Sequence, residues 1–418
     1  VTLQSLQFKD YLKIEEPLHE AEERATGGVK HLTHIEDAIL LQGSAGIGTA
    51  VDYLQKVLDL AGDAKASLCV TTKFDGAPAI IAGINPENGK FFVATKSLFN
   101  KTPKINYTNA DIDQNHPDGG LNVKLKAALK YLKGVGIRGI MQGDMLFTKG
   151  DVKTESIDGR KYLTFRPNTL TYAIPADSPL AREIVAAKIG VVFHTKYDGN
   201  DIKSLSPSFA PDISYLNKSG SAWIIDANLK GDGVGSCTVP LNALEKKEIE
   251  GQLKNIQKMG RSAAKFLDSL QQSPALVDEL MIYINDNVRQ GVAQGSGQGF
   301  LKYMETKVKI QLEKSKKGDA REARTAAAQR LIDSIESNIP KYDSIFSLHH
   351  LISTTKLLVI DGLRKTKMQL NSFTQEGGRY SVSPPEGFVV VNRMNNRAFK
   401  LVDRLDFSRK NFNLPKNW

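Results

Sequence analysis

Cysteine is almost missing from this sequence. The two present, Cys69 and Cys237, make neither a disulfide framework nor the spacing of a metal site. A reducing cytoplasm fits that usage. Long apolar runs are missing too: no uninterrupted stretch approaches the roughly 20 residues that span a bilayer. No secretory signal is expected either, because the start QSLQFKDYLKIEEPLHEAEERA is charged and amphipathic. No internal repeat is visible. What is left is a protein with no membrane partner and no cysteine chemistry.

What the sequence does hold is length and positive charge. Its 418 residues suffice for two or three domains, and a hydrophobic share of 41% is ordinary for a globular protein. Lys and Arg total 56 against 46 Asp and Glu, a net charge of +10. A surplus of that size favours a polyanionic partner, for which nucleic acid is the usual candidate.

The texture changes along the chain. Residues 1–62 read as an N-terminal helical region: an amphipathic helix and polar linker up to Gly27-Gly28, then helical spacing at Val51, Leu54, Val57 and Leu58. Residues 63–240 carry short β-type runs separated by turns: SLCVTTKF, PAIIAGI, KFFVATKS, GIMQGDMLFT, KYLTFRP, TLTYAIP, KIGVVFHTKY and SAWIIDA. One helix, roughly 122–133, interrupts them. Residues 241–372 are long charged segments of helical texture, about the size of a domain. Strand texture returns within 373–418, from Arg379 onward. The expected class is α+β, with antiparallel sheets flanked by helices and a large all-helical insertion. Alternatively, the last strands form a small unit of their own.

Three patterns carry little chemistry. GSAGIGTA (43–50) has the glycine spacing of a phosphate-binding loop. It puts Thr49 where the lysine belongs, and it follows helical rather than strand texture. GSGQG (295–299) lies between helical segments and reads as a hinge. His31 and His34 share a helical face, but no matching Cys, His or Glu motif is near, so a structural role is expected.

Thr71-Thr72-Lys73-Phe74-Asp75-Gly76 is different. A lysine at the end of an apolar strand suits covalent catalysis. Its free pKa is about 10.4, so partial burial and neighbouring charge or metal must expose the amine lone pair. Gly76 would let the backbone approach a nucleotide closely.

Taken with the motifs that follow it in order, this segment resembles the covalent nucleotidyltransferase superfamily of ATP-dependent DNA and RNA ligases and capping enzymes. KFDG (73–76) matches the nucleophile motif. Lys96 in TKS sits where a basic residue near the nucleotide is usual. QGDMLF (142–147) resembles the third motif, with Asp144 in place of the more usual Glu. TLTYAIP (169–175) resembles the strand whose aromatic stacks on adenine, which implies Tyr172, with Phe165 in reserve. PPEGFVVV (384–391) resembles the motif whose glutamate, here Glu386, binds metal. AFKLVDR (398–404) resembles the last lysine motif, with Lys400 on the α-phosphate. Val402 stands where a second lysine is usual, with Arg404 as the candidate replacement. The chain ends at Trp418, so no carboxy-terminal OB domain is expected after the last motif. That outline is closer to RNA ligases.

The resemblance implies ATP and Mg²⁺ (or Mn²⁺) as cofactors, with the metal on Asp144 and Glu386. Lys73 would be the nucleophile, and Thr71, Thr72, Asp75, Gly76, Lys96, Tyr172 and Lys400 would surround the nucleotide. The partners would be RNA or DNA strand ends, with the helical block holding their backbone through residues such as Lys307, Lys309, Lys314, Lys316, Lys317, Arg321 and Arg324. The alternatives are a GTP-dependent capping-type enzyme and a non-catalytic nucleic-acid-binding protein. In HTKYDG (194–199), Lys196 can contact a phosphate and His194 can orient a neighbour. FKDYL near the start resembles the leader of proteins from large tailed bacteriophages, which implies a host-cytoplasm or virion location.

Overall fold

The computed structural model describes residues 32–60, 68–117, 119–217, 220–229, 240–314, 319–366, 370–376 and 378–408. The expected short helix and polar linker over 1–30, the FKDYL segment, His31, Cys237, Lys316 and Lys317 lie outside these residues, as do the side chains of Lys314 and Arg321.

A short strand, β1 (Thr33–His34), runs through a 3₁₀ turn at Ile35–Asp37 into α1 (Ala38–Gln42) and α2 (Ser44–Leu58). Gly43 joins the two helices at φ 63°, in the region that glycine enters without strain. Gly46 packs so tightly that a Cβ there would lie 2.0 Å from the Ala38 carbonyl oxygen. The Ser44 N–H donates to Asp268 Oδ1 at 2.7 Å. The glycine-rich stretch is therefore a helix corner closed by a side-chain carboxylate, and it follows a helix rather than a strand.

The strand-rich part comprises β2 (Leu68–Lys73), β3 (Ala79–Ile84), β4 (Phe91–Ala94), α3 (Asn109–Asn115), α4 (Gly120–Leu132), β5 (Ile140–Thr148), β6 (Lys153–Ile157), β7 (Arg160–Phe165), β8 (Thr171–Pro175), α5 (Pro179–Ala186), β9 (Ile189–Asp198), β10 (Ser206–Phe209) and β11 (Ala222–Asp226). Five helices follow: α6 (Ala243–Leu270), α7 (Pro274–Arg289), α8 (Gly297–Lys314), α9 (Asp319–Glu336) and α10 (Ile339–Arg364). The chain then returns to strand in β12 (Asn371–Glu376), β13 (Arg379–Ser383), β14 (Gly387–Asn392) and β15 (Arg397–Val402). Helix starts follow local chemistry. Asn242 and Glu245 form a capping box on α6, and proline opens α5 and α7.

The strands make three sheets: β1-β15-β14-β2, then β10-β9-β5-β3-β4 with β11 on β9, and β13-β12-β8-β7-β6. Pairing is antiparallel except for β1 with β15 and β11 with β9. The class is α+β. Among the described residues no helix is long and apolar enough to cross a membrane.

Strand alternation gives the first sheet two faces. Leu68, Val70, Phe388, Val390, Phe399 and Leu401 lie on one face and join a single apolar core with α1, α2, α6, α7, α8 and α10. The helical block is thus seated on the back of the first sheet together with residues 35–58. At GSGQG the glycines serve close packing: a Cβ on Gly297 would meet the Ile339 carbonyl at 2.5 Å, and one on Gly299 the Tyr283 hydroxyl at 2.3 Å.

Candidate active site

The opposite face of the first sheet carries polar residues. Across its strands Thr71, Val389, Lys400 and His34 form one rung, and Lys73, Gly387 and Val402 form the next. β2 ends at Lys73, and Phe74 to Pro78 carry the chain into β3 of the second sheet. There the Ala77 N–H donates to the Met145 carbonyl (2.9 Å) and the Met145 N–H to that of Pro78 (3.0 Å). A Cβ on Gly76 would sit 2.5 Å from Asp144 Cβ. The absent side chain therefore lets Asp144 of β5 approach the Lys73 segment.

Glu386, just ahead of β14, reaches the nucleophile candidate: Lys73 Nζ lies 2.5 Å from Glu386 Oε2, with the Lys73 side chain 27% exposed and that of Glu386 6%. Burial alone would lower the Lys73 pKa, but Glu386, with Asp144 and Asp75 behind it, outweighs burial and holds the ammonium above its usual value. Burial pushes the Glu386 carboxyl up against the pull of Lys73. Lys400 is brought down to about 8, first by burial and then by the charge of Lys73, with Lys96 adding to the effect. Lys73, Glu386, Asp144, Lys400 and Lys96 thus act on one another electrostatically.

Asp75 has a different task. Its carboxylate accepts hydrogen bonds from Asn168 Nδ2 (2.7 Å), the Thr169 N–H (2.7 Å), the Leu170 N–H (2.8 Å) and the Thr169 hydroxyl. Its own N–H donates to the Tyr172 hydroxyl at 2.7 Å. Asp75 therefore fastens the turn ahead of β8 to the Lys73 segment. Tyr172 and Phe165 are each only 2% exposed, their rings packed on each other and on Phe74 and Phe147. Neither offers an open ring face here; burial also pushes the Tyr172 phenol well up. Thr71 is buried on the Lys73 face, while Thr72 points to the helix side and its N–H donates to the Ala227 carbonyl at 2.7 Å. Lys96 opens a 3₁₀ turn, Lys96–Phe99, after β4.

One neighbour sits beyond the main motifs. Pairing between β5 and β9 slips between Gln142/Thr195 and Gly143/Phe193, so His194 is the extra residue of a bulge. A bulge re-aims its side chain, and His194 Nε2 comes within 3.7 Å of Asp144 Oδ2. Its Nδ1 is 2.8 Å from Thr195 Oγ1. Lys196, by contrast, pairs with Asp198 at 2.7 Å.

Val402 and Arg404 do not replace a phosphate-binding lysine. Val402 is packed with Phe407 and Leu370. Arg404 is buried, with Nη1 2.7 Å from Asp37 Oδ1 and Nη2 2.6 Å from Asn285 Oδ1. It belongs to an ionic cluster beside Lys400 that the sequence did not reveal. In that cluster Lys356 Nζ meets Glu36 Oε1 at 2.7 Å with both side chains fully buried, and His349 Nε2 is 2.9 Å from Asp37. Burial, then Arg404 and Lys356, hold His34 well below the ordinary histidine range.

Among the described residues no group of three or more metal-type side chains converges. Asp144 and Glu386 supply two hard carboxylates. Mg²⁺ and Mn²⁺ accept oxygen donors, and Mg²⁺ commonly takes one or two carboxylates and keeps its waters, so the donor set fits. No curated protein and no solved structure matches the chain. A family model does, over residues 29–416, and the chain belongs to that family, described as a family of unknown function (DUF6267).

Proposed function

We propose that this chain is an ATP-dependent polynucleotide ligase with a ligase-type adenylation domain, in which Lys73 takes AMP from ATP. The observation that carries the reading is the meeting of Lys73, Glu386, Asp144 and Lys400 where the KFDG segment crosses from the first sheet to the second. These four residues come from three separate parts of the sequence.

Nζ of Lys73 attacks the α-phosphorus. The N–P bond forms, the bond to pyrophosphate breaks, and pyrophosphate leaves. The amine must first lose a proton, and Glu386, at 2.5 Å, is the base within reach. Lys400 offsets charge on the α-phosphate oxygens. Asp144 and Glu386 would hold Mg²⁺ or Mn²⁺, which offsets further phosphate charge when bound. AMP then passes to a 5′-phosphate, and a 3′-hydroxyl displaces it to seal the strand. Tyr172 and Phe165 form the packed wall behind the segment, and Asp75 keeps the 168–170 turn in place.

The test is incubation with α-labelled ATP or GTP and Mg²⁺, followed by intact-mass measurement. An AMP adduct that disappears in Lys73→Ala is the expected result. A GMP adduct indicates a capping-type enzyme. No adduct with either nucleotide, or a full AMP adduct on the Lys73→Ala protein, overturns the assignment.

A further inference from the structure

Helix α6 has two unlike faces. Its buried side, Ile249, Leu253, Ile256, Gly260, Ala263 and Leu267, packs in the core shared with α2 and α10. At 3.6 residues per turn, Lys247, Lys254, Lys258, Arg261 and Lys265 fall on the opposite side as one row, and all five are exposed. The row is about 27 Å long at 1.5 Å per residue.

A solvated helix face ordinarily mixes charges of both signs. Here the bordering acids are Glu250, half-buried, and Asp268, whose Oδ1 is held by the Ser44 N–H at 2.7 Å. Neighbouring lysines are neutralised: Lys246 pairs with Asp59 at 3.7 Å and Lys365 with Glu245 at 2.5 Å. No ion pair involves any of the five in the row among the described residues. At the carboxy-terminal end Lys341 of α10 lies over the Phe266 ring, 5.4 Å from its centroid, and extends the basic surface. Of the basic residues first expected to hold a backbone, one is already engaged. Lys307 is clamped on Glu279, with Nζ 2.6 Å from Oε1.

The geometry points to the outer face of α6 as a docking surface for the phosphodiester backbone of a nucleic acid. Five unneutralised cations in a straight row, on a chain of net charge +10, match a line of phosphates in sign. An apolar partner finds no purchase there, since the row holds no large apolar side chain. The surface deepens the ligase reading by holding the nucleic acid away from the ends being joined, yet it stands on charge and geometry alone.

The test is a salt titration of binding to single-stranded RNA, single-stranded DNA and duplex DNA longer than the row. The full chain is compared with the K254A/K258A/R261A/K265A variant. Each lost phosphate contact should lower the log–log salt slope by roughly 0.7 to 0.9, about 3 in total. The Lys→Arg variant K254R/K258R/K265R should keep the slope. Unchanged thermal melting shows that the variants fold, and AMP-adduct formation should be equal in all three proteins. Equal slopes for the full chain and the alanine variant overturn the proposal. So does a full chain that binds none of the three nucleic acids at low salt, or a variant that loses only binding to anionic vesicles. A slope that falls while no protein forms an adduct supports the surface and sinks the ligase reading, so the two fail separately.

Discussion

Lys400 shows how one residue's surroundings set its use. Burial, the Lys73 charge and Lys96 bring its pKa down to about 8, so it is cationic below that value and loses its charge above it. If Lys400 steadies the α-phosphate, adduct formation should rise with pH as Lys73 deprotonates and then level off above about pH 8, where Lys400 loses its charge while Lys73, held above its usual range, is still gaining free amine. Arginine stays charged across this range. Lys400→Arg should therefore continue the rise above about pH 8, while Lys400→Ala should lower adduct formation by roughly 10² to 10³ below that pH, the size seen for losing one charge-stabilising donor. Rate–pH profiles from labelled ATP decide this. A levelling near pH 8 that persists in Lys400→Arg would remove Lys400 from the role. Sequence reading brought out Lys73, Glu386, Asp144 and Lys400 because each stands in a short pattern that resembles a family motif, on or beside a strand. Asp75 stands in the same pattern as Lys73, but its fastening of the 168–170 turn was not legible, because its partners lie 93 to 95 positions away.

Among the elements, the short segment from β1 to α1 is the one whose importance the sequence hides. It puts Glu36 and Asp37 in the interior against Lys356 and Arg404. Breaking one side of such a pair leaves a buried charge, which costs about 3–5 kcal/mol, whereas replacing both partners is often near neutral. Lys356→Met should destabilise the protein by about that amount, and Glu36→Gln with Lys356→Met should recover most of it. Urea melts of the two variants make the comparison, and equal losses would show that the pair is not coupled. Burial pushes the Asp37 carboxyl up, but Arg404 and His349 outweigh it and hold the group far below the usual carboxylate range. The stability this provides is present above the unfolded pKa of about 3.9 and is lost as pH falls toward the folded value. The apolar strands were readable: β2, β3, β4, β5, β8 and β11 fall within the expected runs, and β9 passes the end of its run by one residue, Asp198. β12 was not, because NSFTQE has almost no apolar content and is a strand only through its pairing with β8 and β13. The bulge at His194 was unreadable as well, since register is a property of two strands.

At the scale of the whole molecule, the question is whether the helices between β11 and β12 could be lost without harm. Periodicity predicted a helical block over 241–372, but it could not say what lies beneath the helices. In the structure, Ile352, Val359 and Ile360 of α10 share a core with Phe388, Val390, Phe399 and Leu401 of the sheet that carries Lys73 and Lys400. That core is the back of the candidate site. Shrinking a fully buried aliphatic such as Ile352 to Ala should therefore cost about 2–5 kcal/mol and lower the stability of both parts together. Trp223 on β11, packed against Phe147, reports on the strand-rich part, and far-UV circular dichroism reports mainly on the helices. With Trp418→Phe removing the other tryptophan, urea curves from the two signals should coincide, and Ile352→Ala should move both midpoints by the same amount. Separate midpoints, or a shift confined to the dichroism signal, would make the helical block a body that unfolds by itself and would break the link between its packing and the floor under Lys73.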